Sequence, residues 1–286
     1  MAQKSTNVRM IQLAAGPLST VAPNTSARLL AHLFTSPTRR RRPSRERAWL
    51  KDATSFKVLF DHRRHLVIHR WGKGPVILLV HGWAGRGSQL GALVEPLVSQ
   101  GFTVVAFDAP AHGRADGRNT ALPEFAQAIR HVASIVGPVH GLVAHSMGAA
   151  ATSVAIAQGL DVERLVYIAP PENPERYLHS AARWLGFDER VATLAKLRLE
   201  SRYGLRFDQA RGSNLTGQFT APLLVIHDAG DEDVPHTEGE RLVASWPGAR
   251  LMTTQGLGHR RILRDPKVLM AVVDEMVEPE EAQVAS

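Results

Sequence analysis

A serine stands in the stretch GLVAHSMGAA, residues 141–150, between His145 and Met147. It follows an apolar run and precedes small residues, the setting of a nucleophile held on a sharp strand-to-helix turn. A serine hydroxyl is a poor nucleophile at neutral pH and needs a neighbouring base to take its proton. A histidine serves if its second ring nitrogen is held by a carboxylate, which fixes the tautomer and stabilises the imidazolium. The chain supplies both downstream, with Asp231 in HDAGDEDVP and His259 in GLGHRRIL. Asp228 and Asp233 flank Asp231 and could be the acid instead; Glu172 is a more remote alternative. The bland reading of Ser146 is an inert serine where a buried strand ends. The presence of a candidate base and acid downstream favours the nucleophile. The usual pattern for such a turn is G-x-S-x-G. Here Ala144 replaces the first glycine, Gly148 is kept, and Ala149, Ala150 and Ala151 follow.

These groups act only if strands bring them together. FKVLF (56–60) and HLVIHRW (65–71) read as two short strands around DHRR. PVILLV (75–80) is a continuous apolar run, as expected of a strand buried on both faces, FTVVAF (102–107) is another buried strand, and VHGLVAH (139–145), RLVYIAP (164–170) and PLLVIHD (222–228) read as further strands. ARLMTTQ (249–255) is a further strand, and helical spacing covers 88–100, 122–136, 147–159 and 266–277. Strands alternating with helices imply an α/β fold with a mostly parallel sheet. In such sheets functional groups gather at the carboxyl ends of strands. Ser146 ends strand 139–145, His81-Gly82-Trp83 ends strand 75–80, and Asp231 and His259 follow the last two strands. Residues 171–221 are too long for one crossover. Their Tyr177, Trp184, Leu185, Phe187, Tyr203 and Phe207 predict a helical insertion over the strand ends.

The elbow, the HGW loop, FDAPAHG (107–113), HDAGDEDVP and GLGHRRIL, in this order and each at a strand end, resemble the α/β-hydrolase fold superfamily, in its serine-hydrolase, esterase-like branch. The resemblance runs from about residue 56 to 277. It implies a mostly parallel eight-stranded sheet with helices on both faces and a short helical cap after the sixth strand. The core would be 56–171 and 222–277, and the cap 172–221. The family's acid turn, G-x-x-D-x-x-V-P, aligns Asp231 with the acid and puts Asp228 in the usual glycine place. A-x-S-x-G elbows occur in the family. The implied catalytic residues are Ser146, Asp231 and His259, with the backbone N–H groups of Trp83 and Met147 as oxyanion donors. Trp83, Tyr177, Trp184 and Phe187 are the expected substrate contacts. His81, His112 and Asp108 are expected to support their loops, and His145 to pack beside the elbow. The implied reaction is cleavage of small to medium apolar carboxylic esters through an acyl-serine. A thioesterase, acyltransferase or perhydrolase on the same residues, or a non-catalytic binding protein of this fold, are the alternatives. A serine at this position argues against the dehalogenases and epoxide hydrolases of the fold, which use an aspartate there.

Composition sets outer bounds. At 286 residues and 44% hydrophobic, the chain can bury a sizeable core. No run approaches the roughly 18 apolar residues of a membrane span. There is no cysteine, so neither disulfides nor cysteine catalysis are available, and none of the thirteen histidines sits in H-E-x-x-H spacing. Neither metal nor cofactor is expected; the partner is a small ester or thioester. The net charge of +7 is concentrated in RRRRPSRER (39–47). Such a run can meet nucleic acid or anionic lipid, but no aromatics interleave it, and a solvated leader packed on the domain surface is preferred. Residues 1–55 are taken as a basic leader, flexible or partly helical, with a signal peptide the weaker alternative because Gly16 and Pro17 interrupt its apolar patch. The tail 278–286 is expected to be disordered, and the location cytoplasmic by default. Nothing in the pattern specifies an oligomeric state.

Overall fold

A computed structural model describes residues 6–215, 219 and 221–277. The expected disordered tail, 278–286, lies outside the described residues. The chain starts with helices α1 (Thr6–Val21), α2 (Pro23–Phe34) and α3 (Ser44–Trp49), then strands β1 (Thr54–Leu59), β2 (His65–Trp71) and β3 (Val76–Val80). A 3₁₀ stretch (Gly87–Leu93) leads into α4 (Val94–Ser99), followed by β4 (Thr103–Asp108), α5 (Leu122–Val136), β5 (Val139–His145), α6 (Met147–Ala157) and β6 (Arg164–Ile168). Helices α7 (Pro174–Leu185), α8 (Glu189–Tyr203) and α9 (Gly212–Leu215) precede β7 (Leu223–Asp228), α10 (His236–Ser245), β8 (Arg250–Thr254), α11 (Gly258–Arg261) and α12 (Pro266–Val277). Among the described residues no helix is long and apolar enough to cross a membrane.

The eight strands form one sheet in the order β1-β2-β4-β3-β5-β6-β7-β8. Only β2 runs against the others, pairing antiparallel with both β1 and β4. Every residue of β3, β4, β6 and β7 is buried, because helices cover both faces and period-two alternation is not needed. Alternate residues still point to opposite sides. Leu78, Val80, Phe107, Leu142 and Tyr167 join one core layer with α5 and α6. Ile77, Leu79, Val104, Val143 and Ile168 join the other with α4 and α12. Strand existence therefore follows the apolar runs, with ends shifted by one or two residues. Helix α10 has no counterpart in the sequence reading. Its HTEGERLVAS buries only Glu238, Gly239 and Leu242, too few apolar positions to show a stripe.

The leader, expected to be flexible or partly helical, forms two helices within residues 6–34, and they are built into the layer formed by the insertion. Ala15, Ala27 and Leu30 are fully buried against Leu178, Leu185, Val191 and Leu199 of α7 and α8. Neither pair of helices can bury its apolar stripe alone, and each supplies the surface that the other lacks. The basic run then straps the leader to the core. Arg39 donates to the carbonyls of Ala111, Ala115 and Gly117, while buried Glu46 accepts from Arg86 and Ser88. Arg40, Arg41, Arg45 and Arg47 remain exposed.

Candidate active site

Ser146 sits on the turn between β5 and α6 with φ 53° and ψ −129°, a conformation that a side chain with a Cβ rarely adopts. Its N–H donates to the Ile168 carbonyl at 2.9 Å, and its carbonyl accepts from Ala149 N–H at 2.8 Å. Among the described residues the non-glycine positive-φ positions are Ala84, Ala111, Ser146 and Ala169. These follow β3, β4, β5 and β6, so the backbone strain is collected at the carboxyl ends of four adjacent strands. Glycine is required where chains cross closely. A Cβ on Gly82 would lie 2.9 Å from the Ser146 Cβ, and one on Gly148 would lie 2.5 Å from the His81 carbonyl oxygen. Ala144 is different: its methyl is fully buried in the core layer, in register with Val80 and Tyr167. The departure from G-x-S-x-G thus falls on the side of the elbow that has room.

The loops after β7 and β8 bring the other two groups in. His259 Nε2 is 3.0 Å from Ser146 Oγ, and His259 Nδ1 is 2.8 Å from Asp231 Oδ2. Asp231 Oδ1 accepts from the N–H groups of Asp233 and Val234, both at 2.9 Å. Burial opposes its charge, but the nearby His227 N–H and the hydrogen bonds from His259 and Val234 outweigh that and hold its carboxyl well below the usual range. The competing carboxylates are occupied elsewhere. Asp228 accepts from Gly230 N–H, Thr254 Oγ1 and Leu257 N–H, tying together the two loops that carry Asp231 and His259. Asp233 pairs with Arg260 on the surface. Glu172 is bound by Arg211 and Ser213. His145 lies against the His259 ring with centroids 4.6 Å apart, and its Nε2–H donates to the His259 carbonyl at 3.0 Å.

Met147 opens α6, so its N–H has no intrahelical acceptor and points out of the helix end. Trp83 lies in the loop after β3, which is held from both sides. Ala84 N–H donates to His112 Nε2 at 3.1 Å, and His112 Nδ1–H donates to the Pro110 carbonyl. His81 Nδ1–H donates to the Gly82 carbonyl at 2.7 Å, and His81 Nε2 accepts from Ala109 N–H. Asp108 accepts from the N–H groups of Gly87 and Arg114. His81, His112 and Asp108 thus occupy loop-anchoring positions.

Burial lowers the pKa of His81 to about 4, and those of His112 and His145 to about 3. All three are neutral in the fold, while in the unfolded chain they take up protons below pH about 6.5. The unfolded state therefore binds more protons on acidification. Stability should fall as pH drops from about 6.5 towards the folded values, by up to about 1.4 kcal/mol per histidine per pH unit. Urea midpoints measured at about pH 7 and about pH 5 check this. An unchanged midpoint would mean that the three take up protons in the fold as readily as in the unfolded chain.

Ser146, Met147 and Trp83 line one wall of a cavity of about 200 Å³. Tyr177 lines it too. Trp184 and Phe187 do not. Trp184 is on the same side of α7 as Tyr177 but two turns further on, about 10 Å from it, and is 55% exposed. Phe187 follows the left-handed C-cap at Gly186 and turns into the core between leader and insertion. In their place the cavity takes Phe34 and Thr35 from the end of α2, Leu122 from α5, and Tyr203, Leu205 and Phe207 from the insertion. Phe34 and Thr35 were not foreseen because no local pattern ties residue 34 to a site more than a hundred residues away. Among the described residues no three His, Cys, Asp or Glu side chains are grouped to hold a metal ion.

A model of the alpha/beta hydrolase family matches residues 77–272. No curated protein matches the sequence. Many solved structures share the fold at low identity. Est1E from Butyrivibrio proteoclasticus, solved with ferulic acid bound, superimposes with a TM-score of 0.60 at 18% identity, over 77% of this chain and 96% of that one. An esterase from Pyrococcus furiosus gives 0.63 at 17% identity, over 85% and 97%. A bromoperoxidase from Bacillus anthracis gives 0.61 at 16% identity, over 79% and 100%.

Proposed function

Because the chain belongs to the alpha/beta hydrolase family, we propose that it is a serine hydrolase that cleaves carboxylic esters of small to medium apolar substrates. The observation that carries this reading is the unbroken run of hydrogen bonds from Asp231 through His259 to Ser146, with Ser146 in the wall of an apolar cavity. Ser146 Oγ attacks the ester carbonyl carbon while His259 Nε2 takes its proton. Asp231 holds the ring through Nδ1 and stabilises the imidazolium. The carbonyl oxygen, now an oxyanion, receives the N–H groups of Trp83 and Met147, which are fixed before the substrate arrives. Collapse breaks the bond to the alcohol oxygen, which takes the proton from His259 Nε2, and leaves an acyl group on Ser146. A water molecule then adds to the acyl carbon with His259 as base, and the acid leaves as Ser146 recovers its proton. The ionised state of Asp231 suits this role, since a neutral acid would hold the ring without stabilising its charge.

Labelling with a fluorophosphonate probe tests the proposal. Wild type is expected to label at Ser146, Ser146→Ala not at all, and His259→Ala and Asp231→Asn far more slowly. Correctly folded wild type that stays unlabelled would defeat the reading and leave the non-catalytic binding protein in its place.

A further inference from the structure

Five residues bring hydroxyls to the cavity wall: Thr35, Thr120, Ser146, Tyr177 and Tyr203. Two of the hydroxyls are engaged: Ser146 Oγ pairs with His259, and Thr35 Oγ1 donates to the Ala31 carbonyl. Those of Thr120 and Tyr177 are buried and have no partner among the described residues. Thr120 as a whole is fully buried. A hydroxyl kept from water without a partner costs about 1–3 kcal/mol, and a valine or phenylalanine would fill either position without that cost. The two come from different elements. Thr120 precedes α5 on the core side, where its N–H donates to the Thr35 carbonyl, and Tyr177 stands on α7 of the cap. Most of the other lining residues are apolar, and these two hydroxyls are buried at the wall without a partner among the described residues.

We infer that Thr120 and Tyr177 form a polar subsite, and that the substrate is an ester carrying a second, neutral oxygen (hydroxyl, keto or ether) in an otherwise apolar acyl or alcohol part. The inference rests on the hydrolase reading above. Neutrality follows from the charges around the subsite. Tyr177 is held protonated by burial, and by the negative charges of Glu238, Asp231 and Asp233, so it offers a donor. Glu238 is paired with Arg176 and Asp233 with Arg260, so what an anionic group beside Tyr177 lacks is an unmatched cation. The cations at hand are already matched: Arg176 donates to Glu238 at 3.0 Å, and Arg206 at the cavity wall donates to Asp208 at 3.0 and 3.2 Å. A neutral oxygen can accept from Tyr177, or exchange a hydrogen bond with Thr120, while its carbon skeleton meets the apolar wall.

The test compares esters of matched length. 4-Nitrophenyl hexanoate is set against esters in which an ether oxygen replaces successive acyl methylenes, and hexyl acetate against the same replacement in its alcohol part. At least one oxygenated ester should be favoured over its parent by wild type. Its kcat/KM ratio to the parent should fall roughly tenfold in Tyr177→Phe or Thr120→Val, the worth of one hydrogen bond. Thr120→Val should also raise Tm, because the hydroxyl it removes stabilises nothing in the free protein. A ratio that does not move in either variant, with both esters hydrolysed, overturns the subsite and leaves the hydrolase intact. A fall in Tm for Thr120→Val overturns its share of the subsite by revealing a structural partner. No turnover of any ester, with Ser146 unlabelled, removes the hydrolase reading itself and the subsite with it.

Discussion

Ser146→Ala should lower kcat/KM for a short-chain 4-nitrophenyl ester by at least about 10⁴-fold, the scale seen when one member of a serine–histidine–aspartate unit is lost. The fold should survive. The side chain removed makes one hydrogen bond, to His259, and alanine already occupies three other positive-φ positions at neighbouring strand ends. Asp231→Asn should cost about as much, because an amide in its place favours the wrong tautomer of His259. The neighbouring acids give the control. Asp233 pairs with Arg260 where both are more than half exposed, so Asp233→Asn should change kcat/KM by no more than about twofold. Asp228→Asn should act through stability, since Asp228 joins the loops after β7 and β8 without touching His259. A steady-state assay on the four variants, with circular dichroism to confirm folding, separates these outcomes. Full loss in Asp233→Asn with activity kept in Asp231→Asn would reassign the acid.

The buried parallel strands were legible because each is centred on a short apolar run, a signal carried by a few neighbouring residues; β8, RLMTT, is parallel without such a run. The site was legible for the same reason: residues at strand ends converge whatever the loops between them do. What the sequence hid depends on contacts between distant segments. The apolar stripe of α2 is visible locally, but that Leu30 packs on α8 and that Phe34 reaches the cavity depend on the insertion lying above it. Trp184 and Phe187 were expected at the substrate because large aromatics in an insertion suggest a pocket. Helix geometry decided otherwise, admitting Tyr177 from the first turn of α7 and carrying Trp184 away. The charge of the basic run is conspicuous in the sequence, but that Arg39 places it on backbone carbonyls of the core is visible only in the fold.

Gly148→Ala should be far more damaging than the motif alone suggests, and Ala144→Gly far less. In G-x-S-x-G both glycines look equivalent. Here the position before the serine tolerates a methyl and the one after it does not. A Cβ at 148 would sit 2.5 Å from the His81 carbonyl oxygen and 2.9 Å from that of Val80. Both are backbone atoms of β3 and the loop after it, so neither can swing aside as a side chain would. The first turn of α6 must move away from β3 instead. That displaces Ser146, and it displaces the Met147 N–H relative to Trp83. A destabilisation of about 3 kcal/mol is expected from the overpacking. Activity should fall by at least about 10²-fold beyond any loss of folded protein, because shifts of the order of 1 Å between reacting groups cost that much. Ala144→Gly leaves the elbow where it is. It removes one buried methyl and loosens one strand residue, together about 1–2 kcal/mol, and kcat/KM should stay within about threefold. Chemical unfolding and steady-state kinetics on the two variants read both effects. If Gly148→Ala were tolerated and Ala144→Gly were not, the spare room would be on the helix side of Ser146, and the close approach of α6 to β3 would not be what fixes the nucleophile.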